Sequence, residues 1–277
     1  MTKITIATFN VNSVKARLPR LLEWLKSKNP DIICLQELKC VDGDFPFLEI
    51  ENLGYNIALV GQKSYNGVAI LSKFKIEETI KSLPNFSDDQ ARYIESVIAV
   101  GDKIIRVASI YVPNGGGDLQ VGEKLEDSKK FRYKLDFLDA LNAHFTSLLK
   151  ENEIQIFAGD FNVAVEEIDV FDPKHLKETV CFHSLERQRM RAILNLKMID
   201  SFRAQNPNSQ VFSWYDYRAG GWQNGKGMRI DYLLTSPLAA DKICATAIHD
   251  KGVRDLEKAS DHCPCVVELE VVSTTNQ

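Results

Sequence analysis

Apolar positions along the chain fall into short runs broken by polar residues and glycine. Ten runs carry the continuous or alternating pattern of strands: "KITIATFN", "DIICLQE", "GVAILSK", "YIESVIAV", "IIRVASIYV", "EIQIFAG", "FSWYDY", "RIDYLLTS", "KICATAIH" and "CPCVVELEVV". Helical spacing recurs over about residues 15 to 28, 125 to 150 and 184 to 197. Strands therefore outnumber helices and extend from one end of the chain to the other. No linker rich in proline, serine or glycine is long enough to separate independent domains, and no internal repeat is visible. This predicts one domain over about residues 3 to 271 with a frayed tail, "STTNQ". Its expected class is α/β: two packed sheets flanked by helices, an α/β sandwich rather than one doubly wound sheet.

Composition adds bounds. With 277 residues, 44% hydrophobic, the chain has material for a large core. No apolar run approaches the roughly 18 residues a membrane helix needs, and "MTKITIATFN" opens in a strand pattern rather than a signal peptide. A cytoplasmic protein with no membrane partner is expected. Six cysteines without a CxxC pair, mostly in apolar surroundings, read as reduced core thiols rather than disulfides or zinc ligands. The net charge of -4 argues against coating nucleic acid with the whole surface, so a polyanion would need a local basic patch. "GEKLEDSKKFRYK" (Lys124, Lys129, Lys130, Arg132, Lys134) and "LERQRMR" (Arg187, Arg189, Arg191) are such patches, and each reads equally as a solvated helix face.

The chemistry gathers at strand ends. Asn10 and Asn12 follow the first strand, and Glu37 ends the second. Tyr111 and Asn114 end "SIYVPNGGG", Asp160 and Asn162 end "IFAGDFN", Asp231 lies in "RIDYLL", and Asp261 and His262 precede the last strand. Carboxyl ends of strands are where α/β proteins collect ligands, although a polar turn capping a strand reads the same way. A carboxylate inside an apolar strand is costly unless a cation or donor sits beside it. Asp231 is either a buried structural hydrogen-bond acceptor or the group that orients His262. Acids, amides, a tyrosine and a histidine at so many strand ends point to one convergent site. No GxSxG occurs, and a covalent serine or cysteine nucleophile is not called for. Residues 211 to 231 set Phe212, Trp214, Tyr215, Tyr217 and Trp222 among Arg218, Lys226 and Arg229 in a glycine-rich loop, as core or as a platform for nucleic acid.

The ordered set "FNVNSVKAR", "DIICLQELK", "YNGVAILSK", "YVPNG", "GDFNVA", "FSWYDYR", "GMRIDYLL" and "SDHCPC" resembles the bacterial exonuclease III family of abasic-site endonucleases, over nearly the whole chain. The resemblance implies a four-layer α/β/β/α sandwich with the site at one edge of the paired sheets. It implies a magnesium enzyme, with manganese as a substitute, that nicks double-stranded DNA 5' to abasic sites and also acts on blocked 3' ends as a 3'-5' exonuclease and 3'-phosphatase. A monomer is expected. Carried over, Glu37 is the principal metal ligand, with Asn10, Asp160 and Asn162 as further candidate ligands, and Asp261 touches a second metal position. Asp160 orients or deprotonates the attacking water, and Asn162 binds the phosphate or steadies Asp160. Tyr111 contacts the phosphate, and His262 paired with Asp231 stabilises charge on it. Phe212, Trp214, Met228 and Ile230 lie near the pocket for the baseless sugar, while Lys63, Arg92 and Asn114 are DNA contacts. Ser13 stands where many relatives carry glycine, and Asn114 where some carry glutamine. Two other readings remain: a phosphatase on phosphoinositides or sphingomyelin, and a noncatalytic RNA-binding regulator on the same scaffold.

Overall fold

Alternation at period two decides which way strand side chains point. In β1 (Thr2–Asn10) it separates Ile4 and Ile6 from Ala7 and Phe9, and the two sets enter different cores. The computed structural model describes residues 2–117, 123–248 and 252–271. After β1 come α1 (Val14–Lys28), β2 (Ile32–Gln36), α2 (Phe47–Glu51), β3 (Asn56–Val60), β4 (Val68–Ser72), β5 (Lys75–Ile80), β6 (Tyr93–Val100) and β7 (Lys103–Tyr111). The second half holds α3 (Lys129–Leu148), β8 (Ile154–Asp160), α4 (Ser184–Asn195), β9 (Ile199–Asp200), α5 (Ser201–Gln205), β10 (Trp214–Tyr215), β11 (Gly227–Met228), β12 (Asp231–Thr235), α6 (Pro237–Ala240), β13 (Ile243–Ile248) and β14 (Cys265–Val271).

Two sheets result, with orders β13-β14-β1-β2-β4-β3 and β5-β6-β7-β8-β12-β9. Each contains one parallel pair, β1 with β2 and β7 with β8, among antiparallel neighbours. A parallel pair needs a crossover, and α1 and α3 supply one each. Ile4, Ile6, Ile32 and Ile70 face Ile98, Val107, Ile156 and Leu233 between the sheets. The outward set of β1 and β2 packs on Leu21, Trp24 and Leu25 of α1. On the other side, Ile110 and Phe157 pack on Phe137, Leu141 and Phe145 of α3 and Met190 of α4. These are the four layers α/β/β/α. The core between the sheets draws on residues from Ile4 to Val271, from which we infer a single domain.

Beyond the short elements α2, β9, α5, β11 and α6, which no run or helical stretch marks, the elements differ from the periodicity in three ways. The strands β3 and β5 were not predicted. Each lies at a sheet edge, and β5, "KIEETI", is mostly exposed, with the charges that keep an edge from pairing. Helix α3 starts at Lys129 rather than 125, because the Ser128 side chain accepts from Phe131 N at 3.0 Å and fixes the start there. The strand expected over "FSWYDY" shrinks to Trp214–Tyr215 within a loop that crosses the sheet edge.

That edge is set by register. Asn10 pairs with Gln36, Tyr111 with Asp160, and Asp160 with Asp231. Side chains stitch the two sheets together nearby: Gln36 Nε2 donates to Ser109 Oγ at 3.0 Å, and Ser109 Oγ to Leu35 O at 2.9 Å. Gly159 is required in β8, since a Cβ there would lie 1.9 Å from Ile110 O.

Candidate active site at the sheet edge

The site is assembled by abrupt reversals just past the strand ends. Glu37, Lys39 and Asn162 hold φ of 53°, 53° and 51°. Asparagine tolerates this region, but a glutamate or lysine there costs about 1–3 kcal/mol. Surrounding bonds hold the reversal after β2: Ser13 N donates to Glu37 O at 2.7 Å, and Leu38 N to Gly67 O at 3.1 Å.

Asn10, fully buried, is the hinge of the polar cluster. Its Nδ2 donates to Glu37 Oε1 at 2.8 Å and to Asp160 Oδ2 at 2.9 Å, joining an acid of each sheet. Asp160 Oδ1 accepts from Asn162 N at 2.9 Å. His262 Nε2 lies 3.6 Å from Asp160 Oδ2, and its Nδ1 lies 2.9 Å from Asp231 Oδ2. Asn162 Nδ2 donates to Val112 O at 2.9 Å, and Asn114 Nδ2 to Asn162 Oδ1 at 3.1 Å. Asp261 stands at the rim, accepting from Asn12 Nδ2 at 2.9 Å and Trp214 Nε1 at 3.1 Å. Arg92 covers the Tyr111 ring at 4.8 Å and donates to Tyr111 O at 3.3 Å.

Electrostatics follow from burial and crowding. Burial pushes the Asp160 carboxyl up to about 7; the His262 charge opposes this, and Asp231 adds to the rise. Burial would lower His262, but Asp231 and Asp160 outweigh it and raise the imidazole to about 10. The imidazole is thus held as a cation that donates toward both carboxylates. The Tyr111 phenol is pushed well above its usual range, first by burial and then by the charges of Glu37 and Asp160, so it stays protonated as a donor.

Glu37, Asp160 and His262 each place a donor atom within 4.8 Å of one another. Four carboxylates (Glu37, Asp160, Asp231, Asp261) face two cationic side chains here, His262 and Lys39. A surplus of negative charge built from hard oxygen donors, buried at Asp160 and Asp231 and half-buried at Glu37 and Asp261, fits a divalent cation. Lys39 Nζ lies 2.7 Å from Glu37 Oε2 and 2.5 Å from Asn12 Oδ1.

The remaining expected residues divide into two groups. Trp214 and Met228 pair across β10 and β11 and remain partly exposed. Phe212 and Ile230 are buried, and they support that ribbon from behind instead of facing solvent. Lys63 is exposed on the loop before β4, outside the hydrogen-bonded cluster. Arg229, read with the basic residues of the aromatic loop, is buried: it binds Asp169 at 2.8 Å and Asp200 at 2.7 Å. Lys39 was missed, although a lysine two residues after Glu37 in "LQELK" was a visible signal. Lys134 was assigned to a surface patch, yet it lies fully buried behind Asn162, a placement only packing reveals.

Comparison with known proteins agrees with this fold. The model of the Endonuclease/Exonuclease/phosphatase family matches residues 7–262. The chain is 30% identical over 271 residues to exodeoxyribonuclease III of Haemophilus influenzae, covering 95% of this chain and 98% of that protein. It superposes on an AP endonuclease from Archaeoglobus fulgidus with a TM-score of 0.88 at 37% identity, covering 97% of this chain and 100% of the other. It superposes equally, at 0.88 and 33% identity with the same coverages, on the 3' phosphatase NExo from Neisseria bound to product DNA hairpin. With that coverage of sequence and fold, the chain belongs to the Endonuclease/Exonuclease/phosphatase family, among its exonuclease III-like enzymes.

Proposed function

We propose that this DNA-repair nuclease hydrolyses the phosphodiester 5' to an abasic site in double-stranded DNA, and acts on blocked 3' ends as a 3'-5' exonuclease and 3'-phosphatase, with Mg2+ as cofactor. The observation that carries the reading is the meeting of Glu37, Asp160 and His262, from three distant segments and both sheets, within 4.8 Å of one another. Phosphodiester hydrolysis needs a base on one side of phosphorus and cations or donors around its other oxygens.

Glu37 with Asn10, Asp160 and Asn162 would hold the cation, and Asp261 would serve a second position. A bound Mg2+ supplies positive charge to the phosphate oxygens and the departing oxygen, with Mn2+ as a substitute. Asp160 orients the attacking water and takes its proton. The water oxygen bonds to phosphorus, the bond to the 3' oxygen breaks, and that oxygen leaves, taking up a proton from solvent. His262, kept cationic by Asp231, the Asn162 amide and the Tyr111 phenol donate to the charge that builds on the phosphate. Lys63, Arg92 and Asn114 seat the flanking backbone, and Trp214 and Met228, backed by Phe212 and Ile230, border the baseless sugar. Direct attack leaves no covalent intermediate.

The monomer is proposed as the working unit, and the cytoplasm as its compartment. No helix among the described residues is long and apolar enough to cross a membrane. The deciding assay uses a labelled duplex with one abasic site, with Mg2+, with Mn2+ and with a chelator. Cleavage 5' to the site only with metal is the expected outcome. An intact duplex under every condition overturns the reading.

A further inference from the structure

Lys134 of α3 and Glu186 of α4 are both fully buried and form an ion pair. Nothing in the proposed chemistry uses either residue. A buried ion pair roughly breaks even against apolar residues of similar size, because desolvation offsets the attraction. Packing alone therefore gives no reason for the pair, and what else Lys134 holds becomes the question. Its Nζ donates to Asn162 O at 2.6 Å and to Asn114 O at 3.1 Å. The Glu186 carboxylate supplies the counter-charge beside these two bonds. Glu186 is fixed in turn, accepting from His183 N at 2.9 Å at the start of α4.

The two carbonyls belong to the two amides whose side chains bond each other at 3.1 Å beside Asp160. Asn162 is in the left-handed region, and its N–H donates to Asp160 Oδ1. A small rotation of this turn would therefore move an amide and a carboxylate together. The turn after Asn114 is shaped around the lysine: Gly115 has φ of 88°, and a Cβ there would lie 2.9 Å from Lys134 Cδ.

We infer that Lys134, with Glu186 as its counter-charge, is a positioning residue that clamps the Asn114 and Asn162 turns together at the phosphate. This rests on the proposed role of those amides. Displacement of a positioned group by about 1 Å can cost a hundredfold in rate.

The test compares Lys134→Met, Glu186→Gln and the double variant Lys134→Met/Glu186→Leu with the wild type in unfolding midpoint, and in kcat and KM on the abasic-site duplex with Mg2+. Lys134→Met leaves a buried carboxylate alone, so its midpoint should fall. The double variant removes both charges and should recover that midpoint, while kcat stays about tenfold to a hundredfold low with KM changed less than about threefold. Recovery of kcat together with stability overturns the inference and leaves the pair a structural feature. Should the double variant fold poorly, Glu186→Gln decides. It leaves both carbonyl bonds in place and is expected to lower kcat by no more than about threefold. A loss equal to that of Lys134→Met overturns the clamp. A wild type that leaves the duplex intact removes the underlying reading, and the inference with it, a result distinct from either of these.

Discussion

Asp160 shows how neighbours give a common residue its task. It is almost fully buried, accepts from Asn10 Nδ2 and Asn162 N, and lies 3.6 Å from His262. Asp160→Asn keeps the shape and removes the proposed base. Its kcat on the abasic duplex is expected to fall about 10²–10⁴-fold with duplex affinity retained, as read by single-turnover cleavage and fluorescence anisotropy. Asp169 is a contrasting acid, buried among Arg229 and Arg203. Burial opposes its charge, but Arg229 outweighs burial and holds the carboxyl below the usual range. A folded-state pKa below the unfolded value of about 3.9 means that this stabilisation is present above that pH and fades as pH falls toward the folded value. Asp169→Asn should therefore lose about 3–5 kcal/mol at pH 7, and urea titrations should show its deficit against the wild type shrinking below about pH 4. A deficit that does not change with pH would remove the electrostatic explanation. At this scale Asp231 and His262 could be singled out from the sequence, because an acid in an apolar strand demands a partner.

At the scale of elements, the link from β1 to α1 carries a conflict between residue type and backbone. Ser13 caps α1, accepting from Ala16 N at 3.4 Å, but with φ of 85° and ψ of 102°. Relief of such strain contributes about 1–3 kcal/mol, while loss of a serine cap to glycine costs only a few tenths, and glycine's extra chain freedom costs about 0.5–1 kcal/mol. Ser13→Gly should thus raise the unfolding midpoint by about 2 °C in calorimetry; a lower midpoint would refute the strain. The central strands were readable because their runs are covered on both faces. The edge strand β5 was not, since its exposure lets charged residues break the apolar run, and β3, "NIALV", offers only four apolar residues in a row, too few to tell from a loop. The aromatic loop looked like a strand from its β-forming composition. Its backbone bonds go elsewhere, however: Ser213 N to Met228 O at 3.0 Å and Tyr215 N to Asp261 O at 2.9 Å.

At the scale of the molecule, a net charge of -4 has to coexist with binding to a polyanion. Lys63 is exposed and the half-buried Arg92 covers Tyr111, whereas Arg187 and Arg191 are turned to the backbone or acids of their own surroundings. Duplex affinity should therefore fall with salt through a limited set of contacts. Lys63→Ala should flatten the log–log salt slope by about 0.9 and weaken binding evenly across sequences, as measured by anisotropy from low to physiological salt. An unchanged slope would place Lys63 outside the interface.

The sequence by itself determined the class of fold and which polar residues end its strands. Apolar periodicity is local, and a polar group at the end of a covered strand is conspicuous within a few residues. Only the tertiary structure decided which groups meet. The Asn10 bridge from Glu37 to Asp160 spans two sheets, and Phe212, Ile230 and Arg229 prove to be interior. Lys134 belongs to the floor of the site and not to a basic surface. Burial of a charge depends on what distant segments place around it, and no local pattern along a chain contains that.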